Sequence, residues 1–152
     1  ASCKAVERIA DADIIVIGPG SLYTSIIANL IIPDISEAII NSRAKKVFIC
    51  NIMSEEGETD RLDCYGHLEK ITDHVKNLKI DYMLINNKII ESDILERYDR
   101  EHKHPVYVDD SQRAKIRELG VQIIEDNLLR VSETGQIMHD SEKVARILLD
   151  IR

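Results

Sequence analysis

The chain has 152 residues and a formal net charge of −7 at pH 7, and this negative charge disfavours nucleic acids and anionic membrane surfaces as partners. Its length suffices for one domain with a real core, and an aromatic content of only 4% predicts that this core is aliphatic. No apolar run approaches the ~20 residues that cross a bilayer and no signal peptide is visible, so we expect a cytoplasmic protein without a membrane span.

The cysteines give no sign of a disulfide framework or a zinc site. They are odd in number, and no two have the two-residue spacing of zinc or redox motifs; they are Cys3, Cys50 and Cys64. We therefore expect reduced, separate thiols.

The first part of the chain alternates helical and strand patterns. Apolar and charged residues at helical spacing in 1–10, without an initiating Met, predict that the chain begins inside a helix of a longer protein. Asp13 to Gly18 is a continuous β-branched run, typical of a parallel strand buried on both faces. Leu22 to Leu30 is predicted to be a helix that Pro33 ends.

The same alternation continues to the end of the chain. The predicted elements are a helix capped by Asp34, a strand over Lys46 to Asn51, a helix carrying Tyr65, Leu68, Ile71, Val75 and Leu78, a strand over Tyr82 to Asn86, a helix over Ser92 to Lys103, a short strand over Val106 to Val108, a helix bracketed by Ser111 and Gly120, strands over Val121 to Ile124 and Leu128 to Val131, and a last helix with Val144, Ile147, Leu148 and Ile151 on one stripe.

Short strands separated by helices pair in parallel through right-handed crossovers. The sequence therefore predicts a doubly wound, mostly parallel α/β sheet with helices on both faces, in a single domain over residues 1–152. Its ligand site should lie beyond the carboxyl ends of the strands. Three loops meet there: Gly18 to Thr24, Asn51 to Asp60, and Asn86-Asn87.

The first loop is suited to an anion. Its two glycines let the backbone turn sharply, and the following helix presents free amides with hydroxyl groups beside them. It is neither a dinucleotide fingerprint, because Tyr23 stands where a third glycine belongs, nor a phosphate-binding P-loop with Gly-Lys-Ser/Thr. A capped strand-to-helix turn explains the pattern equally well.

The second loop is acidic, with three carboxylates and a hydroxyl between Glu56 and Asp60. Such a cluster can hold Mg²⁺, act as a general base or accept hydrogen bonds from sugar hydroxyls, and it can equally be a solvated surface turn. His67 and His74 are seven residues apart on one predicted helix, too far to share a metal ion. No catalytic triad or cysteine nucleophile can be argued from spacing.

Three segments resemble, in order and spacing, the consecutive signatures of the CofD-like gluconeogenesis-factor family: residues 12–27, Cys50 to Met53 with Gly57 to Asp60, and Asn86-Asn87. The resemblance covers essentially the whole chain but only the carboxy-terminal half of the family's length. The family includes 2-phospho-L-lactate transferases and a gluconeogenesis-factor branch that binds UDP-sugars and influences carbon metabolism, cell-wall synthesis and cell shape.

The resemblance implies a Rossmann-like fold whose ligand lies between these loops and a glycine-rich loop near the family's amino terminus. The implied ligand- or phosphate-binding residues are Gly18, Gly20, Ser21, Tyr23, Thr24, Ser25, Asn51, Glu58, Thr59, Asp60 and Asn86. No catalytic residue and no protein-held metal is assigned, and Mg²⁺ accompanying a nucleotide is the one cofactor candidate.

The sequence Leu22-Tyr-Thr-Ser-Ile26 resembles the gluconeogenesis-factor branch more than the transferase branch. The resemblance then implies a regulatory protein that binds a nucleotide sugar or another phosphorylated small molecule. Two alternatives stay open. One is a transferase that moves a phosphorylated acid from a nucleotide carrier to an acceptor hydroxyl, and the other is a Rossmann-like scaffold used only to form a homo-oligomer.

Overall fold

Four parallel strands form the central sheet, and their order across the sheet follows their order along the chain. The computed structural model describes residues 1–151, and Arg152, the last residue of the predicted domain, lies outside them. The strands are β1 (Ile14–Ile17), β2 (Lys45–Ile49), β3 (Tyr82–Asn86) and β4 (Gln122–Asp126). Val16 pairs with Val47, Phe48 with Met83, and Leu84 with Ile124.

Helices connect and cover these strands. They are α1 (Cys3–Ala10), a π-helical stretch (Leu22–Ile27) that continues directly into α2 (Ala28–Leu30), α3 (Pro33–Asn41), α4 (Cys64–His74), α5 (Ser92–Arg100), α6 (Asp110–Glu118) and α7 (Ser141–Asp150). A second sheet consists of β5 (Leu129–Val131) and β6 (Ile137–His139), which pair in antiparallel fashion.

The two faces of the central sheet pack against different helices, because successive side chains of a strand point to opposite faces. Phe48 and Met83 belong to the larger apolar cluster, which includes residues of α3, α4 and α6. Val47 and Leu84 belong to a smaller cluster with α7. The predicted class, an α/β fold with a parallel sheet and helices on both faces, is confirmed.

Several helix starts differ from the predictions by part of a turn. The first predicted helix is present as α1, but it starts at Cys3 rather than at the first residue, and the Ser2 hydroxyl caps it by accepting from the Ala5 amide. Asp34 does not cap α3, since Pro33 already occupies its first turn. Asp109, rather than Ser111, caps α6 by accepting from the Gln112 amide at 2.8 Å.

One strand prediction is wrong, and another strand forms as predicted, as β5, but in a different sheet. The segment 106–108 is not a strand: its start is tied to the second loop by the Val106 amide, which donates to the Ile52 carbonyl at 2.9 Å. Val106 is buried in the main cluster, which explains the apolar pattern without a strand. The segment 128–131 does not join the central sheet, because a turn after Val131 folds the chain back and pairs β5 with the unpredicted β6.

Two boundaries also differ for identifiable reasons. The helix predicted to reach Lys103 ends at Arg100, just before His102, which has a positive φ of 52°. β1 was expected to be buried on both faces, yet Val16 is 42% exposed. Among the described residues, β1 is an edge strand, and Val16 lies at the grooves beside it, where no other element covers the side chain.

No described helix is by itself long and apolar enough to cross a membrane. The pair Leu22–Leu30 and Pro33–Asn41 meets the length and composition requirement only when joined, across a bend of 75°.

A bidentate ion pair between Arg113 and Glu125 links α6 to β4, and we expect it to stabilise the protein less at acidic pH. Arg113 donates through Nε to Glu125 Oε1 at 2.7 Å and through Nη2 to Oε2 at 2.8 Å. This contact lowers the pKa of Glu125 from its usual 4.5. A lowered folded-state pKa stabilises the protein above the unfolded-state value, and the contribution is lost as the pH falls through the folded-state value. Glu125→Gln should therefore flatten the loss of stability on acidification below about pH 4.5.

Urea unfolding between pH 3 and 7 measures this effect. Glu133→Gln, at an exposed position between β5 and β6, is the matched control. Equal pH profiles for the two variants would contradict the prediction.

Candidate functional site

A cleft of ≈ 430 Å³ opens at the carboxyl ends of β1 and β2. Parallel strands bring the loops that follow them to a common edge, and ligands of open α/β sheets bind there. Four parts of the chain form its walls: the loop after β1, the loop after β2, the end of α5 with the segment after it, and β6. The lining residues are Pro19, Gly20, Ser21, Asn51, Ile52, Met53, Ser54, Glu55, Tyr98, Lys103, Ile137, Met138 and His139.

The loop after β1 is held against the end of β2. Gly18 has a positive φ of 85°, which turns the chain sharply out of β1. The Asn51 side-chain amide donates to the Gly20 carbonyl at 3.0 Å, so the end of β2 fixes the position of the glycine loop. Gly20 and Asn51, both implied site residues, therefore lie side by side in the cleft wall.

Ser21 links the glycine loop to the acidic loop. Its hydroxyl donates to Glu58 Oε2 at 2.7 Å and accepts from the Thr24 hydroxyl at 2.7 Å. It also caps the π-helical stretch through the Thr24 amide at 3.4 Å. Three of the implied site residues thus form one continuous hydrogen-bonded row beside the cleft.

The remaining implied site residues contribute mainly to their own loops. Thr59 is fully buried, and its hydroxyl accepts from the Glu55 amide at 2.8 Å. Asp60 accepts from the Gly57 amide at 2.9 Å. Tyr23 packs its ring edge to face with His74, and Ser25 lies in a groove beside β1 rather than in the cleft.

Asn86 is buried at the end of β3 and serves the turn that follows. Its side chain donates to the Lys88 carbonyl at 2.9 Å and accepts from the Leu128 amide at 3.1 Å and the Lys88 amide at 3.3 Å. The structure therefore gives this side chain three partners within the protein and does not place it in the cleft wall.

The opposite wall consists of residues that the sequence did not identify. Tyr98 on α5 accepts at its hydroxyl from the Ile137 amide at 2.7 Å, which joins α5 to β6. His139 on β6 donates through Nε2 to the Cys50 carbonyl at 3.1 Å. Burial lowers the pKa of His139, so the ring is neutral at pH 7. Only the alternation of 137–139 after the Gly135 turn could have indicated this wall.

Charges of both signs border the cleft. Glu55 and Lys103 line it, and Glu58 adjoins it through Ser21. Lys103 donates to Glu101 at 2.8 Å, and this hydrogen bond raises the pKa of Lys103, so it stays cationic. The cleft therefore offers one fixed cation and several acceptors to a guest.

Two further features of the described residues are their possible metal ligands and their cysteines. Within residues 1–151 no three His, Cys, Asp or Glu side chains cluster closely enough to hold a metal ion. Cys50 and Cys64 are buried, free thiols. The expectation of reduced thiols agrees with this, and the neighbouring Cys64 together with burial raises the pKa of Cys50. A protonated thiol is a poor nucleophile.

Comparison with known proteins identifies the family. The sequence model described as "2-phospho-L-lactate transferase CofD" matches residues 1–129. The gluconeogenesis factor of Bacillus subtilis is 37% identical over 148 residues, which are 97% of this chain and 45% of that protein. The gluconeogenesis factor of Halalkalibacterium halodurans is 40% identical over 147 residues, covering 97% of this chain and 44% of that protein.

A solved structure shows the same fold. A crystal structure of a UPF0052 family member from Bacillus halodurans superposes with a TM-score of 0.90 at 38% identity, covering 97% of this chain and 47% of that one. The chain thus spans about half the length of these relatives. Since the family model matches most of the sequence and the fold agrees, the chain belongs to the CofD family and is similar to its gluconeogenesis factors.

Proposed function

We propose that the cleft is one side of a binding site for a nucleotide sugar of the UDP-sugar type, in a regulatory protein linked to gluconeogenic carbon metabolism. The observation that carries this proposal is the convergence of Gly20, Ser21 and Asn51 with Lys103 around one opening. The names of the relatives support the link to gluconeogenesis. A role in cell-wall and cell-shape control follows from the family resemblance alone.

The phosphate groups would be held at the glycine loop. The first amides of a helix attract anions, and Ser21, the residue that caps the π-helical stretch, lines the cleft. Lys103 supplies a positive charge on the opposite wall. Lys103 also pairs with Glu101 at 2.8 Å, so on binding it would share its positive charge between that carboxylate and a diphosphate.

The acidic groups favour a sugar as the second part of the ligand. Sugar hydroxyls donate hydrogen bonds to carboxylates, and Glu55 and the nearby Glu58 are such acceptors at the cleft. The Asn51 side chain bonds the Gly20 carbonyl through its Nδ2, which leaves a second N–H to donate to a guest and its oxygen to accept. A guest with a charged half and a hydroxyl-rich half therefore fits the mixed charges better than an inorganic anion does.

Calorimetry with UDP-glucose on the full-length protein carrying this sequence tests the proposal. We expect heat of binding at submillimolar ligand, with weaker binding of UDP and of glucose alone because each lacks half of the contacts. Absence of heat at millimolar UDP-glucose would contradict the proposal.

Asn51→Ala should weaken this binding. It removes the hydrogen bond that positions the Gly20 carbonyl, worth about 0.5–1.5 kcal/mol, which corresponds to a rise in Kd of about two- to tenfold. Asn41→Ala, at an exposed asparagine at the end of α3, is the matched control and should leave Kd unchanged. If both variants changed Kd equally, Asn51 would not contribute to ligand binding.

A transferase is the second candidate, favoured by the description of the matching family model and by Glu58 beside a hydroxyl. In that case the acceptor hydroxyl would give its proton to a carboxylate and its oxygen would bond to the phosphorus of the phosphorylated acid. The bond from that phosphorus to the nucleotide carrier would break, and the nucleoside monophosphate would leave with the Mg²⁺ that accompanies it. Mass spectrometry of mixtures with a nucleotide-linked phospholactate, a deazaflavin acceptor and Mg²⁺ distinguishes the two. A transfer product supports the enzyme, and its absence together with calorimetric binding supports the regulatory protein.

A further inference from the structure

A second cavity lies at the opposite end of the central sheet from the cleft, where β2 and β3 begin. It measures ≈ 410 Å³, which is a volume typical of small-molecule sites. Its charged and amide side chains come from the segments before β2 and before β3, and they are Arg43, Lys45, Lys46, Asn77, Lys79 and Asp81. This basic cavity thus has four cations and one carboxylate in a protein whose formal net charge is −7.

The most buried of these cations is Lys46, which is only 7% exposed. Its Nζ donates to the Ser42 carbonyl at 2.8 Å and to the Ala44 carbonyl at 3.3 Å. An ammonium group has three N–H donors, so one is left for a further acceptor. Buried lysines are normally paired with an anionic group, because removing their charge from water is costly. Within residues 1–151, however, the partners of Nζ are neutral carbonyls.

The other three cations also lack acidic partners among the described residues. Arg43, Lys45 and Lys79 form no ion pair there, although the protein has 27 acidic residues against 20 Lys and Arg. The carboxylate of the cavity, Asp81, accepts through Oδ2 from the Lys46 backbone amide at 2.8 Å. Clustered cations repel one another, and an anion that binds among them relieves this repulsion.

Cations at the end of a helix can also serve to offset the helix dipole. Lys46 does so for α3, because its acceptor Ser42 is the residue that ends this helix. The side chains of Arg43, Lys45 and Lys79 are exposed and donate to no helix-end carbonyl in the described part of the chain. The carbonyls at the helix end therefore account for one of the four cations and leave three for a guest.

We propose that the basic cavity binds a small anion with two or three negative charges, carried by phosphate or carboxylate groups. Arg43, Lys45 and Lys79 supply the charge, and Lys46 supplies a buried N–H donor at the wall. Lysine binds such groups as a point charge, so no single planar geometry is required of the ligand. The cleft lies at the other end of β2, and this proposal does not depend on the proposed function.

Nuclear magnetic resonance of the full-length protein carrying this sequence tests the proposal, with pyrophosphate and citrate as probes. The amide signals of residues 42–46 and 77–81 should shift and saturate at submillimolar probe, at an ionic strength held constant with sodium chloride. Saturation by pyrophosphate alone identifies a phosphate ligand, and saturation by citrate alone identifies a carboxylate ligand. The signals of residues 18–21 report on the cleft separately.

A double variant, Arg43→Gln with Lys79→Gln, locates the site. Both side chains are exposed, so the fold should be retained. The loss of two charged contacts should raise the dissociation constant of the probe about tenfold. Lys76→Gln is the matched control, because Lys76 is near Lys79 in the chain but is exposed and pairs with Asp73 at 3.4 Å. It should raise the dissociation constant by less than about twofold.

Three outcomes would overturn the proposal. They are the absence of saturable shifts at residues 42–46 and 77–81 with either probe at millimolar concentration, equal shifts when sodium chloride replaces the probe, and equal weakening by the double variant and by Lys76→Gln. Shifts confined to the cleft would overturn this proposal and leave the proposed function standing.

Discussion

Gly18→Ala is expected to destabilise the protein and to displace the loop that borders the cleft. Gly18 has a φ of 85°, and a Cβ there would stand 3.0 Å from the Ile49 carbonyl oxygen and 3.2 Å from Ile26 Cδ1. The left-handed conformation costs an L-residue about 1–2 kcal/mol, and crowding a packed site adds roughly 1–3 kcal/mol. The free energy of unfolding, from urea titration, should fall by about 2–5 kcal/mol.

Gly120→Ala is the matched control. Gly120 has nearly the same φ, 81°, but a Cβ there would meet nothing within 4 Å. It should therefore lose only the conformational part, about 1–2 kcal/mol, and the difference between the two variants measures the contact with the Ile49 carbonyl. If both variants lost the same free energy of unfolding, the loop would have moved to accommodate the Cβ, and the contact with the Ile49 carbonyl would not hold it in place.

The same pair of variants reports on the cleft. Gly18 lies two residues before Gly20, whose carbonyl accepts from Asn51. A shift of this loop should weaken UDP-glucose binding by the full-length protein, whereas Gly120→Ala, at the end of α6, should not change the dissociation constant. Unchanged binding by Gly18→Ala would mean that the loop does not position the ligand.

The sequence predicts the central strands because their signal is local. β1, β2 and β3 are short β-branched or aliphatic runs between polar turns, and each observed boundary lies within two residues of its prediction. The hairpin is different. The sequence predicts β5 as part of a strand over Leu128 to Val131 but does not predict β6, which has only three residues. The pairing of β5 with β6 depends on a turn and on Tyr98, whose hydroxyl accepts from the Ile137 amide.

In the candidate site, too, some residues could be predicted from local sequence and others depend on contacts between distant segments. Ser21 and Asn51 could be placed from the rule that loops after parallel strands share an edge. Lys103 and His139 could not, because they reach the cleft only when α5 and β6 fold back over that edge. The rule also places Asn86 at the correct edge, but a sequence pattern does not show which way a buried amide points.

Asn86→Ala separates a structural role for this residue from a binding role. The variant leaves the Leu128 and Lys88 amides and the Lys88 carbonyl without their side-chain partner. A buried polar group left unsatisfied costs about 1–3 kcal/mol. The Leu128 amide keeps a second acceptor, the Asp126 carbonyl at 2.9 Å, and the groups of the exposed Lys88 can bond water, so a loss of about 1–3 kcal/mol in urea unfolding is expected.

Asn87→Ala is the control for this measurement. Asn87 is the exposed neighbour, and its backbone amide, which donates to the Asp126 carbonyl, is kept in the variant. Its free energy of unfolding should change by less than about 0.5 kcal/mol. Under conditions where Asn86→Ala remains folded, its affinity for UDP-glucose should match that of the unaltered protein. A large loss of affinity with little loss of stability would instead make Asn86 a ligand-binding group, and the turn after β3 would then have to open toward the cleft when the ligand binds.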